Sequence, residues 1–192
     1  MKKVVVLCGS PRKEGNSTIL AQSLAEGARE MGAMVWLCQL ADMDIAPCSG
    51  CESCQNNPGS GCVIDDQMTK IYEAVLESDS VVFAGPVYWF SVSAQTKTAV
   101  DRLYAIGGGD ANTFGGKSFG IILTYADRDP FVSGAVNAVR MFQDMAAYLG
   151  VTIQGVVHGS AYGPGDIRSN ESVLDQAREL GRKLGKTDNE AR

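Results

Sequence analysis

The fold is decided by the stretch Val4-Val5-Val6-Leu7-Cys8-Gly9-Ser10-Pro11-Arg12-Lys13-Glu14-Gly15-Asn16-Ser17-Thr18. It begins with an unbroken apolar run, which is typical of a strand buried on both faces of a parallel sheet. A polar loop follows, and apolar residues then recur at helical spacing up to a stop at Gly32. A buried strand, a short polar loop and an amphipathic helix together indicate the first unit of an α/β protein.

The same alternation continues along the rest of the chain. Strands are predicted at residues 4–7, 34–38, 80–84, 118–124 and 151–158, each followed by a helical pattern. Five strands alternating with five helices require a parallel sheet with right-handed crossovers and helices on both faces. Such a sheet binds ligands beyond the carboxyl ends of its strands, where the strand order reverses. The loops after strands one, three, four and five are therefore the predicted place of a site.

Length and composition favour one globular domain over residues 1–192. The net charge is −5 and lysine and arginine are not clustered, which argues against nucleic acid as a partner. The N-terminal apolar run is only five residues long, too short for a signal peptide or a membrane span. We therefore expect a cytoplasmic protein with no membrane partner.

The loop after the first strand has the composition of an anion site. Residues 9–18 combine hydroxyl side chains, glycines and an arginine, and they lead directly into a helix. Amides at a helix start bind anions with the help of the helix dipole, and a phosphate monoester suits this loop. A triphosphate-binding loop is excluded, because five residues separate Gly9 from Gly15 and Asn16 stands where lysine is required. A dinucleotide fingerprint is also absent, while an ordinary capped loop stays open as an alternative.

Three aromatic residues follow the third predicted strand, in Pro86-Val87-Tyr88-Trp89-Phe90. Polar turn residues are usual at such a position, whereas an apolar wall suits a flat ring. Two other interpretations stay open: a hydrophobic plug for the next helix, or an interface between subunits. Ser91 is predicted to cap that helix, and Lys97 and Arg102 are interpreted as salt-bridged surface residues on it.

The two loops together resemble the NAD(P)H-dependent FMN reductase branch of the flavodoxin-like superfamily. The matching residues are Gly9-Ser10-Pro11-Arg12, Gly15-Asn16-Ser17-Thr18, and Gly85 to Ala94 with Lys97 and Asp101-Arg102. The resemblance covers nearly the whole chain. It implies a flavodoxin-like three-layer sandwich whose five-stranded parallel sheet has the order 2-1-3-4-5. It also implies FMN as the cofactor and NAD(P)H as the electron donor.

The resemblance implies particular FMN-binding residues. In the family, the residues that match the first loop hold the FMN phosphate, and here they are Ser10, Arg12, Asn16, Ser17 and Thr18. The implied contacts of the flavin ring, mostly through backbone atoms, are Pro86, Val87, Tyr88, Trp89, Phe90, Thr124 and Tyr125. Relatives are often glycine-rich after the fourth strand, whereas this chain continues with Asp127-Arg128-Asp129, which we expect to be solvated or capping charges.

The single histidine, His158, ends the fifth predicted strand. We expect it to be a hydrogen-bonded structural residue, because hydride transfer to a flavin needs no protein base at the reacting carbon. No catalytic side chain is therefore predicted. The segment from Ala161 to Ile167 resembles a loop that lies on the substrate side of the site in relatives.

Four of the six cysteines fall within fifteen residues, as Cys48, Cys51, Cys54 and Cys62. This spacing matches the way a [4Fe–4S] cluster is wrapped, and it resembles that of the iron–sulfur flavoproteins of the same superfamily. Free thiols are the main alternative, since structural zinc usually needs two separated pairs and a disulfide is disfavoured in the cytosol. Cys8 and Cys38 lie in apolar strand segments and are predicted to be buried.

The sequence thus predicts an FMN-dependent enzyme that takes electrons from NAD(P)H and passes them to a small acceptor, such as a quinone or flavin, or to a redox partner protein. The alternative is an iron–sulfur flavoprotein or a flavodoxin-type electron carrier with a cluster on the cysteine loop. A homodimer or homotetramer is expected, because an uncovered aromatic flavin loop would expose an apolar patch.

Overall fold

The computed structural model describes residues 1–108 and 113–187. In these ranges a parallel sheet has the strand order β2-β1-β3-β5-β6, and a short strand, β4, pairs antiparallel with the end of β3. The strands are Lys3–Cys8 (β1), Met34–Gln39 (β2), Ser80–Tyr88 (β3), Ser91–Val92 (β4), Ser118–Tyr125 (β5) and Thr152–Ser160 (β6).

Helices connect the parallel strands and lie on both faces of the sheet. Their bounds are Asn16–Glu30 (α1), Ser53–Asn56 (α2), Met68–Glu77 (α3), Ala94–Arg102 (α4), Tyr104–Gly107 (α5), Ala135–Leu149 (α6) and Glu171–Gly185 (α7). Short 3-10 turns at Leu40–Asp42 and Asp166–Ser169 follow β2 and precede α7.

The sheet separates two hydrophobic cores. The side chains of α1 and α7 pack on one face, and those of α3, α4, α5 and α6 pack on the other. The central strands β1, β3 and β5 are buried along nearly their whole length, while the edge strands β2 and β6 are partly exposed. This pattern follows from parallel pairing, since only a strand covered on both faces can be apolar at every position.

The predicted three-layer arrangement and the strand order 2-1-3-4-5 are confirmed, when the short β4 is left out of the numbering. Two details of the prediction were wrong. The third strand does not stop before Gly85 but continues to Tyr88, because β5 pairs with Gly85 and Pro86 and β4 pairs with Val87 and Tyr88. The helix that follows is also interrupted, at Leu103, between α4 and α5.

The helices of residues 1–108 and 113–187 were compared with the length and hydropathy that a bilayer span requires. Each of them is too short or too polar to cross a membrane.

Candidate functional site

The carboxyl ends of the central strands bring the predicted loops to one edge of the sheet. The register places Cys8 of β1 beside Ala84 of β3, and Pro86 of β3 beside Thr124 of β5. The loops that follow these strands therefore lie side by side, where a doubly wound sheet binds its ligands.

The loop between β1 and α1 folds around the carbonyl oxygen of Arg12. This oxygen accepts hydrogen bonds from Ser10 Oγ at 3.1 Å, Thr18 Oγ1 at 3.2 Å and the Gly15 amide at 3.1 Å. Ser10, Ser17 and Thr18 are buried, whereas the Arg12 side chain is exposed. Two of the predicted phosphate ligands, Ser10 and Thr18, thus use their hydroxyl groups to shape the loop backbone.

The first turn of α1 begins with backbone amides that have no partner one turn earlier in the helix. Gly15 stands at the N-cap with an extended backbone and has no side chain to bind them. A Cβ on Gly15 would overlap Ser10 Oγ, so the loop accepts only glycine there. Amide donors at the positive end of a helix dipole, beside the exposed Arg12, are chemically suited to an anion.

The side chain of Asn16 binds the loop after β6. Its Nδ2 donates to the carbonyl of Gly163 at 2.9 Å, and its Oδ1 accepts from the amide of Ile167 at 3.2 Å. A salt bridge of 2.7 Å between Glu14 and Arg168 joins the same two loops. These contacts connect the predicted phosphate loop with the predicted substrate-side loop. Because the Asn16 side chain is engaged in them, its backbone amide is the group of this residue that could bind an anion.

The end of β1 and the start of α4 approach each other closely at Gly9. Ser93 Oγ donates to the Gly9 carbonyl at 2.6 Å, and it accepts from the Thr96 amide at 3.3 Å as the cap of α4. A Cβ on Gly9 would overlap the Thr96 hydroxyl, so this contact requires glycine. The predicted cap, Ser91, was wrong because that residue is part of β4.

A hairpin with two aromatic turn residues joins β3 to β4. Tyr88 pairs with Ser91, which leaves Trp89 and Phe90 as the connection. Both have positive φ, 47° for Trp89 and 62° for Phe90. Such turns normally carry Asn-Gly, and large side chains in this conformation are strained by roughly 1–3 kcal/mol each. Strain of this kind is concentrated at functional sites.

The hairpin exposes apolar surface at the carboxyl edge of the sheet. Trp89 is 93% exposed, Phe90 53% and Tyr88 41%. The segment before α6 adds Phe131, which is also exposed, and Asn137 Nδ2 of α6 holds the hairpin by donating to the Phe90 carbonyl at 3.1 Å. The interpretation of this loop as a plug for the next helix was therefore wrong, and the exposed rings form a surface suited to a ligand or to another protein.

The two flavin contacts implied at the end of the fourth strand are the last residues of β5. Thr124 and Tyr125 are both buried, and the Tyr125 hydroxyl lies 3.0 Å from Nδ1 of His158. Burial raises the pKa of Tyr125, and the nearby Asp129 carboxylate raises it further. His158 is exposed, and its expected hydrogen bond is confirmed.

Asp129 organises the charged loop after β5. One carboxylate oxygen accepts from the amides of Phe131 and Val132, at 2.9 Å each. The hydrogen bond from Val132, followed by that from Phe131, holds the pKa of Asp129 below its ordinary value. Asp127 and Arg128 are exposed, so these residues are the capping and solvated charges that the sequence predicted.

The four clustered cysteines lie on a surface segment between β2 and α3. Cys48 and Cys51 are exposed, and Cys54 and Cys62 are half-buried. No disulfide joins any two of the six cysteines. Within residues 1–108 and 113–187, no three His, Cys, Asp or Glu side chains are grouped closely enough to hold a metal ion. The donor chemistry suits an iron–sulfur cluster, but the described conformation of this segment does not gather the thiols.

Burial divides the thiols into two classes. It raises the pKa of Cys8 to about 12, with a further contribution from Cys38, and that of Cys38 to about 11. Cys51 differs, because hydrogen bonds from the amide and then the hydroxyl of Ser53 lower its pKa. Cys8 and Cys38 are thus buried as predicted, and the thiols with access to chemistry lie on the surface segment.

Arg102 is buried, although a surface position was predicted for it. Lys97 does pair at the surface with Asp101, at 2.6 Å, as predicted. The Arg102 side chain, however, is 1% exposed and lies 2.6 Å from a carboxylate oxygen of Asp66, whose side chain is 7% exposed. The signal was its spacing three residues after Ala99, which places Arg102 on the apolar face of α4.

Comparison with known sequences identifies relatives over nearly the whole chain. The family model described as NADPH-dependent FMN reductase matches residues 2–161. An iron-sulfur flavoprotein of Methanocaldococcus jannaschii is 30% identical over 195 residues, which cover 95% of this chain and 95% of that protein. A Bacillus subtilis protein named as an NAD(P)H-dependent FMN-containing oxidoreductase is 23% identical, over 93% of this chain and 96% of its own.

Comparison with solved structures gives the same architecture. The NAD(P)H:quinone oxidoreductase from Methanothermobacter marburgensis superposes with a TM-score of 0.76 at 21% identity, covering 96% of both chains. At this identity the likeness shows the fold, and it confirms that the fold is flavodoxin-like.

Replacing Asn16 with alanine tests whether its side chain holds the loop after β6 or an anion. We expect amide exchange at residues 163–167 to accelerate by about tenfold or more, because the side chain's hydrogen bonds with Ala161, Gly163 and Ile167 are all lost. Affinity for FMN should fall by less than about threefold, since the backbone amide remains. Hydrogen exchange by NMR and a fluorescence titration with FMN measure the two effects.

The matched control for this experiment is Asn16→Asp, which keeps the acceptor for Ile167 and loses the donor to Gly163. Its exchange rates should lie between those of the wild type and Asn16→Ala. A large loss of FMN affinity in Asn16→Ala with unchanged loop exchange would assign the side chain to the phosphate instead.

Proposed function

We propose that FMN lies at the carboxyl edge of the sheet, between the loops after β1 and β3. The chain belongs to the NADPH-dependent FMN reductase family and is thus an NAD(P)H-dependent FMN oxidoreductase. One observation carries this proposal. The uncapped start of α1 follows β1, the exposed aromatic hairpin follows β3, and these two strands are neighbours in the sheet. The helix start suits a phosphate, and the hairpin beside it offers a surface to a flat ring.

The residues present fit the phosphate group of FMN. The Arg12 carbonyl is turned inward, where it accepts hydrogen bonds from Ser10 and Thr18. The amides of the loop and of the first turn of α1 are then the donors for the phosphate, and the exposed Arg12 guanidinium adds a positive charge. Ser17, together with Ser10 and Thr18, lines the same loop. We assign the phosphate to Ser10, Arg12, Asn16, Ser17 and Thr18, with Asn16 acting through its backbone amide.

The flavin ring is assigned to the segment Pro86, Val87, Tyr88, Trp89 and Phe90, together with Thr124 and Tyr125. The register supports this placement, because Pro86 and Thr124 are neighbours across β3 and β5. The hairpin offers both aromatic faces and backbone groups to a ring with one apolar side and one polar edge. Its connection to α6 through Asn137 fixes the position of that wall.

Bound FMN would supply the redox chemistry, accepting a hydride from NAD(P)H and passing electrons to a second acceptor. The chain's own part is to hold the phosphate, orient the ring and keep water from one of its faces. Asn16 keeps the loop after β6 against the phosphate loop, and Tyr125 stays in place through His158. No side chain acts as a nucleophile or a general base in this scheme.

The acceptor that we propose is a small, flat molecule of the quinone or flavin type. The exposed rings at the edge of the site offer stacking partners to such a molecule. The name of the Methanothermobacter marburgensis structure supports the quinone class, since that protein is an NAD(P)H:quinone oxidoreductase. The six unpaired thiols fit a reducing compartment, so we place the protein in the cytoplasm.

Replacing Arg12 with alanine tests the phosphate site. A charge-assisted hydrogen bond to phosphate contributes about 1.5–3 kcal/mol, so the Kd for FMN should rise by about 10- to 150-fold. Lys13→Ala is the matched control. It also removes one positive charge, at the neighbouring position, but the Lys13 side chain pairs with Asp42. Titration of the apoprotein with FMN gives the affinities, and steady-state oxidation of NADH and NADPH with a quinone gives turnover.

Equal loss of affinity in Arg12→Ala and Lys13→Ala would reduce the role of Arg12 to general electrostatics. Negligible turnover of the wild-type holoprotein with both nucleotides would contradict the proposed enzyme and favour an electron carrier.

The exposed aromatic hairpin also leads us to propose a homodimer or homotetramer. Trp89, Phe90 and Phe131 form apolar surface that FMN and a second subunit would cover together. We expect light scattering after size-exclusion chromatography to give at least twice the mass of the chain. Trp89→Ser should shift the holoprotein toward the monomer, and a wild type that is strictly monomeric would contradict the proposal.

A second candidate function adds a [4Fe–4S] cluster held by Cys48, Cys51, Cys54 and Cys62. Two residues separate each of the first three cysteines, as in clusters of this kind, and the Methanocaldococcus jannaschii relative is named an iron-sulfur flavoprotein. Such a cluster would supply one-electron transfer to a partner. Because the described segment does not gather the thiols, the proposal requires that it closes around the cluster on loading.

Iron and acid-labile sulfide in anaerobically purified protein test the second candidate. We expect about four of each per chain, with broad absorption at about 400 nm beyond that of flavin. Cys54→Ser should lose both, whereas Cys38→Ala, the control within the fold but outside the segment, should keep them. A wild type without iron and sulfide would reject the cluster and leave the flavin enzyme unaffected.

A further inference from the structure

The two ends of the cysteine segment meet at a single buried guanidinium. Arg102 Nη1 donates to the carbonyl of Ala46 at 2.7 Å, before the first cysteine, and Nη2 reaches the carbonyl of Ile64 at 3.4 Å, after the last. Two further bonds, at 2.6 and 3.0 Å, form a bidentate pair with Asp66. Nε donates to the Tyr72 hydroxyl at 3.3 Å, so every nitrogen of the guanidinium has a partner.

Asp66 also joins the two ends of the segment, and together with Arg102 it forms what we call the base of the segment. Its carboxylate accepts from the amide of Ala46 at 2.9 Å and from the amide of Met68, the first residue of α3, at 2.9 Å. Although burial acts to raise it, the pKa of Asp66 lies below its ordinary value because of these bonds and those from Arg102. Arg102 and Asp66 are 1% and 7% exposed, so water screens their attraction little.

This base closes the segment through the backbone carbonyls of Ala46 and Ile64, and one thiol adjoins it, since Cys62 lies within hydrogen-bonding reach of the Tyr72 hydroxyl and close to Arg102. The four cysteines lie between Ala46 and Ile64, so both ends of the stretch that carries them are fixed. Fixing the ends removes much of the chain entropy that a ligand would otherwise have to overcome in gathering residues 48–62. The stretch that carries the thiols is therefore fixed at both ends, although the thiols themselves are not grouped in the described residues.

Helix α4 connects this base to the proposed flavin site. Arg102 is its last residue, and its cap Ser93 donates to the Gly9 carbonyl beside the phosphate loop. A nine-residue helix is about 14 Å long, at about 1.5 Å per residue. One rigid element thus has the phosphate loop at its start and the cysteine segment at its end.

We infer that Arg102 is the positioning residue of the cysteine segment: by binding Ala46, Ile64 and Asp66 at once, it fixes the base of residues 46–66 at the far end of α4 from the flavin site. Loss of the Arg102 side chain should loosen residues 46–66 while the phosphate loop keeps its structure. The consequence for iron binding rests on the second candidate function.

The test compares Arg102→Gln and Arg102→Lys with the wild type as full-length, reduced and iron-free protein saturated with FMN. Amide exchange measured by NMR should accelerate by about tenfold or more at Ala46 and Met68 in Arg102→Gln. Arg102→Lys, which keeps the charge and loses the fork, should give a smaller increase. The Kd for FMN should stay within about twofold of the wild type, because the phosphate loop is at the opposite end of α4.

The matched control is Arg140→Gln, which breaks the exposed pair of Arg140 with Asp144 on α6. It should leave exchange in residues 46–66 unchanged. Exchange in β1 and β3 of each variant serves as the internal reference, since a purely structural role would raise it there as well. If Arg102→Gln does not fold, Arg102→Lys and Tyr72→Phe, which removes only one partner of the guanidinium, carry the test.

The iron arm is separate from the exchange arm. After anaerobic loading with ferrous iron and sulfide, Arg102→Gln should retain less than about one third of the wild-type iron. Unchanged exchange in residues 46–66 of Arg102→Gln would overturn the inference, and so would an equal rise in β1 and β3. A wild type that binds no iron would reject the second candidate function alone, and the exchange result would still decide the role of Arg102.

Discussion

The close approach of β1 and α4 at Gly9 is the constraint on which the rest of the site depends. The Ser93 hydroxyl can reach the Gly9 carbonyl only because Gly9 has no Cβ, and the same hydroxyl caps α4. A side chain at this position would push the helix away from the strand end. Ser93 would then lose its hydrogen bond to the Gly9 carbonyl. The absence of a Cβ at Gly9 thus fixes the start of α4 against the end of β1, from which the predicted phosphate loop begins.

The same helix gives the molecule a second, separate region of function. Its first turn adjoins the proposed flavin site, and its last residue, Arg102, belongs to the base of the cysteine segment. A buried arginine lowers the stability of the fold unless its N–H groups are hydrogen-bonded. Here the carbonyls of Ala46 and Ile64, at the two ends of the segment, accept two of these hydrogen bonds. Segment and helix therefore stabilise each other. The arrangement fixes the two ends of the cysteine segment at the far end of α4 from the proposed flavin site.

Much of this could be predicted from the sequence, and the exceptions have physical causes. The parallel sheet and its two core faces followed from apolar periodicity and from the alternation of strands and helices, whereas the strand order followed from the resemblance to the flavodoxin-like superfamily. The length of β3 did not follow, because its last residues are a strand only when β4 pairs with them. The side chain of Asn16 was expected at a phosphate, but it binds a loop whose backbone comes from the other end of the chain.

The sequence by itself determined the alternating strands and helices, the polar loop before α1 and the segment of four cysteines, because each depends on residues that are close together along the chain. Only the tertiary structure decided which groups in these loops are available and which are already engaged. Ser10, Thr18 and Asn16 use their side chains within the protein, and Arg102 lies in the core instead of on the surface. The physical reason is that a hydrogen-bonding group takes whichever partner the fold brings within reach, and that partner can be far away in sequence.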